Sequence, residues 1–198
     1  GVRQLDPEEM RRTFAGMQAS IRGTRHLANQ MLTLARAEQA EHLLQDRQTL
    51  DFAELVREVA GDFALLVVHK GIDLAFDDGG RTARLSGNAT MLRAAVSNLI
   101  DNALRYTPAG GHVTLALRKD AGQLRLTVCD DGPGIAPEVR EAVFKRFYRV
   151  LGNRDSEGSG LGLCIVREIV LAHGGAVQLS DAPGGHGLCV DLALPADG

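Results

Sequence analysis

Val128-Cys129-Asp130-Asp131-Gly132-Pro133-Gly134-Ile135 is an apolar run that ends in a carboxylate and then in two glycines two residues apart. It reads as a strand that delivers an acid into a backbone too bare to obstruct a ligand. Gly132 and Gly134 allow close approach of main chain to a planar or phosphorylated molecule, and Pro133 stiffens the turn between them. The same letters also describe plain surface turns. The reading therefore depends on the rest of the chain, and three further stretches agree with it.

The 198 residues, 44% of them apolar, suffice for one full domain plus an appendage. A net charge of -3, from 22 basic and 25 acidic residues, shows no basic excess of the kind that wraps nucleic acid. Nucleic acid is not an expected partner. Cys129, Cys164 and Cys189 lie far apart in apolar runs with no C-x-x-C pair. They are expected to be small, unpaired core residues in a reducing cytoplasm. No run of about eighteen apolar residues occurs and no signal peptide opens the chain, so this piece is expected to stay out of the membrane.

Asp6-Pro7-Glu8-Glu9 signals a helix start, with a capping acid, a proline at the first helical position and glutamate after it. A long helix should run to about Gln45. Along it Phe14, Met17, Ile21, Thr24, Ala28, Met31 and Ala35 recur at spacings of three and four, widened by Leu27 and Leu34. That is a bundle seam, which can pack on its own domain or on another helix; self-association is the sharper expectation. The pattern changes before Asp51, which places the boundary between an appendage, 1–47, and a domain, 48–198.

Asp51 can cap a second helix through Phe52, Leu55, Val56, Val59 and Phe63. Ile72 to Phe76 alternates as a strand, followed by the turn Asp77-Asp78-Gly79-Gly80 and a short strand near Ala83 to Leu85. Asn88 caps a helix to about Tyr106 that carries two stripes. Leu92, Val96, Leu99 and Ala103 form an apolar face, while Asn98, Asn102 and Arg105 align on another that is either solvated or functional. His112 to Leu117 and Gln123 to Cys129 read as a hairpin, and the second strand delivers Asp130. A short helix is expected from about Pro137 to Val143, then Phe144-Lys145-Arg146-Phe147-Tyr148-Arg149 and a polar loop from Val150 to Glu157. Gly158-Ser159-Gly160-Leu161-Gly162-Leu163 leads into an apolar helix that ends at His173-Gly174-Gly175. Strands from Ala176 to Leu179 and from Leu188 to Leu194 close the chain.

A glycine-rich loop feeding a helix N-terminus offers unpaired N–H groups and a positive dipole end, which suit phosphate. No G-x-x-x-x-G-K-[ST] occurs, so this is not a P-loop. Polar residues rather than a strand precede Gly158, so neither is it a dinucleotide-binding turn.

Asn98-Leu99-Ile100-Asp101-Asn102-Ala103-Leu104-Arg105-Tyr106-Thr107-Pro108, then Asp130 to Ile135, then Phe144 to Arg149, then Gly158 to Leu163 resembles, in order and spacing, the four conserved boxes of bacterial sensor histidine kinases. The likeness covers the catalytic ATP-binding domain from about Leu50 to Pro195. The preceding helix resembles the second helix of the family's dimerisation hairpin. The resemblance implies an α/β two-layer sandwich of the Bergerat ATP-binding type, with a mixed sheet covered by helices and one long bundle helix before it.

It also implies ATP and Mg²⁺ as cofactors. Asp130 matches the acid that accepts from the adenine amino group, a task suited to a group that can only accept. Asn102 matches the Mg²⁺ ligand, Asn98 faces the same phosphates, Arg105 adds charge there, and Tyr106 packs beside the nucleotide. Gly132, Gly134 and Ile135 line the base, Ser159, Gly160, Leu161 and Gly162 bring backbone to the phosphates, and Phe144 and Phe147 anchor a lid of roughly Tyr148 to Glu157. Arg149 and Arg154 are weaker candidates for phosphate contacts.

DNA gyrase, MutL and the ATP-driven heat-shock chaperone share the fold family but carry a water-activating glutamate where Asn98 stands, a role asparagine cannot fill. The chain is thus suited to holding ATP for transfer. None of the six histidines is followed by the acid and proline that mark the family's phosphoacceptor, and His26 lies where the second hairpin helix would be. The chain is expected to be a piece of a larger kinase, unable to phosphorylate itself. Implied partners are a response regulator receiver domain and a second copy through the helical hairpin, with a bacterial inner-membrane sensor upstream. The alternatives are a nucleotide-binding regulatory module without phosphotransfer, an ATPase of the same fold family, and a protein-serine kinase of the anti-sigma factor type.

Overall fold

The computed structural model describes residues 6–38, 46–80, 83–150 and 158–197. Its first element is α1 (Pro7–Glu38), whose opening turn is capped where Asp6 Oδ1 accepts from the Glu8 N–H at 3.3 Å. The expected continuation to Gln45 lies outside the described residues. Phe14, Met17, Ile21 and Met31 are more than half exposed along α1, as an unpartnered seam would be. Leu34 and Ala37, at the far end, join the core where α1 meets the rest of the chain.

β1 (Gln48–Asp51) pairs antiparallel with β3 (Arg84–Gly87) in a two-stranded sheet. Between them come α2 (Phe52–Asp62), α3 (Ala64–Lys70) and β2 (Asp73–Asp77). Asp51 caps α2 as expected, accepting from Ala53 N–H at 2.9 Å. Neither β1 nor α3 was expected from the pattern. β1 has one half-buried leucine to announce it, and α3 buries no residue fully.

α4 (Ala89–Tyr106), capped by the Asn88 side chain on Met91 N–H at 3.1 Å, lies against the main sheet. That sheet has five strands in the order β2, β4 (His112–Asp120), β5 (Gln123–Asp130), β7 (Leu188–Pro195) and β6 (Ala176–Asp181). β2 and β4 run parallel and the remaining pairs antiparallel. α5 (Gly162–Ala172) joins α4 on the covered face. Leu92, Val96, Leu99 and Ala103 of α4 and Ile165, Val166, Ile169 and Val170 of α5 are buried there. Each of the larger side chains contributes about 1.5–3 kcal/mol by leaving water. The α/β two-layer sandwich with a mixed sheet and a long preceding helix is therefore present. The expected helix at Pro137–Val143 is instead a pair of one-turn 3₁₀ segments, Pro137–Val139 and Ala142–Phe144.

Buried His173 ties the two helices together. Its Nδ1–H donates to Ile169 O at 2.7 Å and its Nε2 accepts from Asn88 N–H at 3.0 Å. Burial holds its pKa below the ordinary histidine value, which keeps the ring neutral as both bonds require.

The reading of all three cysteines as unpaired is corrected. Cys129 and Cys189 stand directly opposite each other on β5 and β7, with Cα atoms 4.1 Å apart, and form a disulfide. Sixty residues separate them, and only the strand order brings them together. Cys164 is free and buried, as expected. The cysteines thus give no argument for a reducing compartment. Denatured without reductant, the chain should show one reactive thiol, and three after reduction, by colorimetric thiol counting. Reduction should lower the unfolding free energy by about 2–4 kcal/mol. Three thiols without reductant would refute the pairing.

Candidate nucleotide site

The alternation that buries Leu124, Leu126 and Val128 on β5 carries the next residue in phase, Asp130, to the same face. This places a carboxylate on the covered side of the sheet, 8% exposed, at the wall of a cavity of about 320 Å³. Asp130 Oδ1 accepts from Gly132 N–H at 2.9 Å, and the Leu188 N–H supports the same carboxylate. Burial nonetheless dominates and raises its pKa above the usual aspartate range. Adjacent Asp131 turns outward and accepts from His112 N–H at 2.9 Å, so Asp130 is the acid that faces the cavity.

α4 supplies the opposite wall. Asn98, Asn102 and Arg105 all line the cavity, joined by Asp101 and Tyr106. Arg105 pairs with Asp101 at 2.8 Å, which fixes its guanidinium along the helix. The Asn98 Nδ2–H donates to Ala94 O at 2.8 Å, leaving its Oδ1 turned to the cavity side. The Asn102 side chain has no hydrogen-bond partner among the described residues, so its oxygen is available to a cation or a ligand.

The third wall is the loop into α5. No side chain caps that helix, so its first-turn N–H groups are left for a ligand, and Ser159, Gly160 and Gly162 line the cavity. Gly160 sits at φ +69°, where a Cβ would come within 2.8 Å of the Phe147 backbone. Its carbonyl accepts from Phe147 N–H at 3.0 Å, which stitches the loop to the segment before it. Gly134 and Ile135 complete the wall beside Asp130.

Three residues expected at the nucleotide are not among those that line the cavity. Phe147 does not line the cavity; its backbone is left-handed at φ +60°, its ring is 58% exposed, and Tyr148 lines the cavity instead. The Leu161 side chain is wholly buried in the core, while its expected contact is through the backbone at the start of α5. Gly132 lies behind the acid rather than in the cavity, where a Cβ would meet Asp130 Oδ1 and Tyr106 O at 2.8 Å. Phe144 is buried, and Arg149 lines the cavity. Arg154 and 151–157 of the expected lid lie outside the described residues. Gln30 on α1 also lines the cavity, and no motif pointed to it.

An acid at one end, two asparagines on one helix and an uncapped glycine loop thus line one cavity. Residues 87–198 match the family described as "Histidine kinase-, DNA gyrase B-, and HSP90-like ATPase". The chain belongs to this family. It is thus an ATP-binding domain of the histidine kinase, gyrase and chaperone type. It is 38% identical over 194 residues to the sensor protein kinase PmrB of Pseudomonas aeruginosa, covering 98% of this chain and 40% of that protein. It is 39% identical over 155 residues to the histidine-protein kinase/phosphatase MprB of Mycobacterium avium, covering 68% of this chain and 29% of that protein. The chain thus spans two-fifths or less of these relatives. A solved mycobacterial sensor histidine kinase MprB superposes with a TM-score of 0.66 at 32% identity, over 76% of this chain and 97% of that one. Full-length ShkA in complex with AMPPNP gives 0.79 at 29% identity, over 98% and 40%. Among the described residues of this family member, no helix is long and apolar enough to cross a membrane.

Gly160→Ala should cost about 1–3 kcal/mol in urea unfolding, because it strains a left-handed backbone and pushes on main chain. Gly158→Ala, whose Cβ would meet only the end of Arg105 at 3.4 Å, should stay within about 0.5 kcal/mol. Equal costs would mean that the Gly160 loop is not held as described.

Proposed function

We propose that this chain is the ATP-binding catalytic part of a sensor histidine kinase, which transfers the γ-phosphate of ATP to a histidine on a helix that pairs with α1. The phosphoryl group then passes to an aspartate of a response regulator. The observation that carries this reading is the placement of Asp130 and the Asn98–Asn102 stripe at opposite walls of one cavity.

Asp130, which when ionised can only accept, selects adenine by taking a hydrogen bond from its amino group and refuses guanine, which has a carbonyl there. Ile135 and Leu188 flank that acid and cover the base. The N-terminus of α5, with Gly160 and Gly162, orients the phosphates. Arg105 adds charge beside them, and Tyr106 packs along the nucleotide. The donor set suits Mg²⁺, a hard ion that takes one or two protein oxygens and completes its shell with water and phosphate. Asn102 would hold it, with Asn98 beside the same phosphates. When bound, Mg²⁺ neutralises phosphate charge and favours in-line transfer. Asn98 cannot act as a general base on water, so the site holds ATP for transfer rather than hydrolysis.

We place the division between helical appendage and catalytic domain at residues 47 and 48. The exposed Phe14, Met17, Ile21 and Met31 stripe is the surface through which two copies would associate in a four-helix bundle. The extent of the likeness to PmrB and MprB supports a place in a bacterial inner-membrane sensor.

Calorimetric titration should show ATP binding in the presence of Mg²⁺, no comparable binding of GTP, and negligible phosphate release. Asp130→Asn should weaken ATP about tenfold or more, the range for a lost charge-assisted bond. The Asp130 pKa is raised, so its proton returns, and the acceptor is lost, at a higher pH than for an ordinary aspartate. The gap between parent and Asp130→Asn should therefore narrow as the pH falls toward that range. Equal affinity for ATP and GTP would overturn the adenine assignment, and steady phosphate release would overturn transfer.

A further inference from the structure

Gln30 stands out on α1. It is 7% exposed on a helix whose neighbouring residues Leu27, Met31 and Leu32 are exposed. Its carboxamide is spent on the nucleotide site, with Nε2–H donating to Asn98 Oδ1 at 2.9 Å and Oε1 accepting from Ser159 Oγ–H at 2.6 Å. Ser159 Oγ in turn accepts from Leu161 N–H at 3.2 Å. One side chain thus bridges the asparagine of α4 and the hydroxyl of the glycine loop, across the cavity end opposite Asp130. Gln30 lies outside the segment that matches the family, 87–198. One and two turns on, Leu34 and Ala37 are buried, and Glu38 forms an ion pair with Arg146. The bridge is the polar end of a single docked face.

We propose that Gln30 is a bolt that the phosphates of a nucleotide displace: it holds α1 on the catalytic domain by bonding to Asn98 and Ser159, and its Oε1 competes with phosphate oxygen for the Ser159 hydroxyl donor. This rests on the ATP reading of the cavity. A phosphate oxygen that accepts from the Ser159 hydroxyl must break the Ser159–Gln30 half of the bridge, so ATP binding and α1 docking oppose each other. By linkage the opposition is reciprocal: what undocks α1 tightens ATP, and ATP loosens α1. The adenine end is spared, since Asp130 makes no contact with Gln30.

The test compares the parent chain with Gln30→Ala by calorimetry, using Mg²⁺-ATP and adenosine as probes, and by hydrogen exchange over residues 27–37. Removing the bolt should tighten ATP about three- to tenfold, the range set by one or two hydrogen bonds, and leave adenosine unchanged. Exchange over 27–37 should quicken in the variant without nucleotide, and in the parent on adding ATP. ATP affinity equal to or weaker than the parent's would overturn the displacement, as would parent exchange that ATP leaves unchanged. If the parent binds no ATP at all, the nucleotide reading falls and the displacement with it. ATP binding without the gain in Gln30→Ala sinks the bolt alone.

Discussion

The structure depends on one unfavourable placement, a carboxylate on the face of a sheet that is otherwise reserved for leucine and valine. Asp130 occupies the fourth position of the alternation Leu124, Leu126, Val128, and so faces the helices rather than water. Burial makes its ionised form costly, and the backbone N–H groups of Gly132 and Leu188 only partly offset that cost. Because its folded pKa is raised, the ionised acid subtracts stability at every pH above that pKa. A fold that carries such a group must find stability elsewhere. The aliphatic layer between the sheet and α4 and α5 supplies it.

α4 illustrates how the site is kept separate from that layer. A single 18-residue helix turns Leu92, Val96 and Leu99 inward and, about a quarter-turn away, presents Asn98, Asn102 and Arg105 to the cavity. The helix is fixed by packing, so the amide oxygens are fixed with it. Neither stripe needs a loop to position it. The loop at Gly158 to Gly162, in contrast, is held by backbone bonds such as Phe147 N–H to Gly160 O.

Much of this was legible from periodicity and capping. Asn88, Asp51 and the alternation of β4 and β5 announce their elements locally, because caps and pleats are properties of neighbours in sequence. The direction of Asp130 was likewise readable, since it sits in phase with Leu124, Leu126 and Val128, whereas the stripe of Asn98 and Asn102, offset from the apolar face of α4, reads as either solvated or functional until the motif resemblance is added. What escaped depends on strand order or on contacts across the chain. The Cys129–Cys189 pair requires β7 to lie beside β5, which no local pattern states. β1 exists because β3 pairs with it. Phe147 and Leu161 sit in motif stretches, but a motif does not say which of its side chains faces inward. Gln30 is an ordinary polar residue on a long helix until α1 is docked.

The strand order also bears on how the chain acquires its form. β7 follows the other described strands in sequence yet lies between β5 and β6, in the interior of the sheet. The β4–β5 hairpin can form as soon as it is made, but its inner edge stays unpaired until some sixty further residues have been added. Pairing of that kind is long in contact order and slow to close. During synthesis on a ribosome, Asp130 would therefore exist before Leu188 and its N–H arrive to complete the wall behind it. The Asp130 end of the cavity is thus among the later features to mature, and a ribosome-held intermediate would present an open strand edge to chaperones.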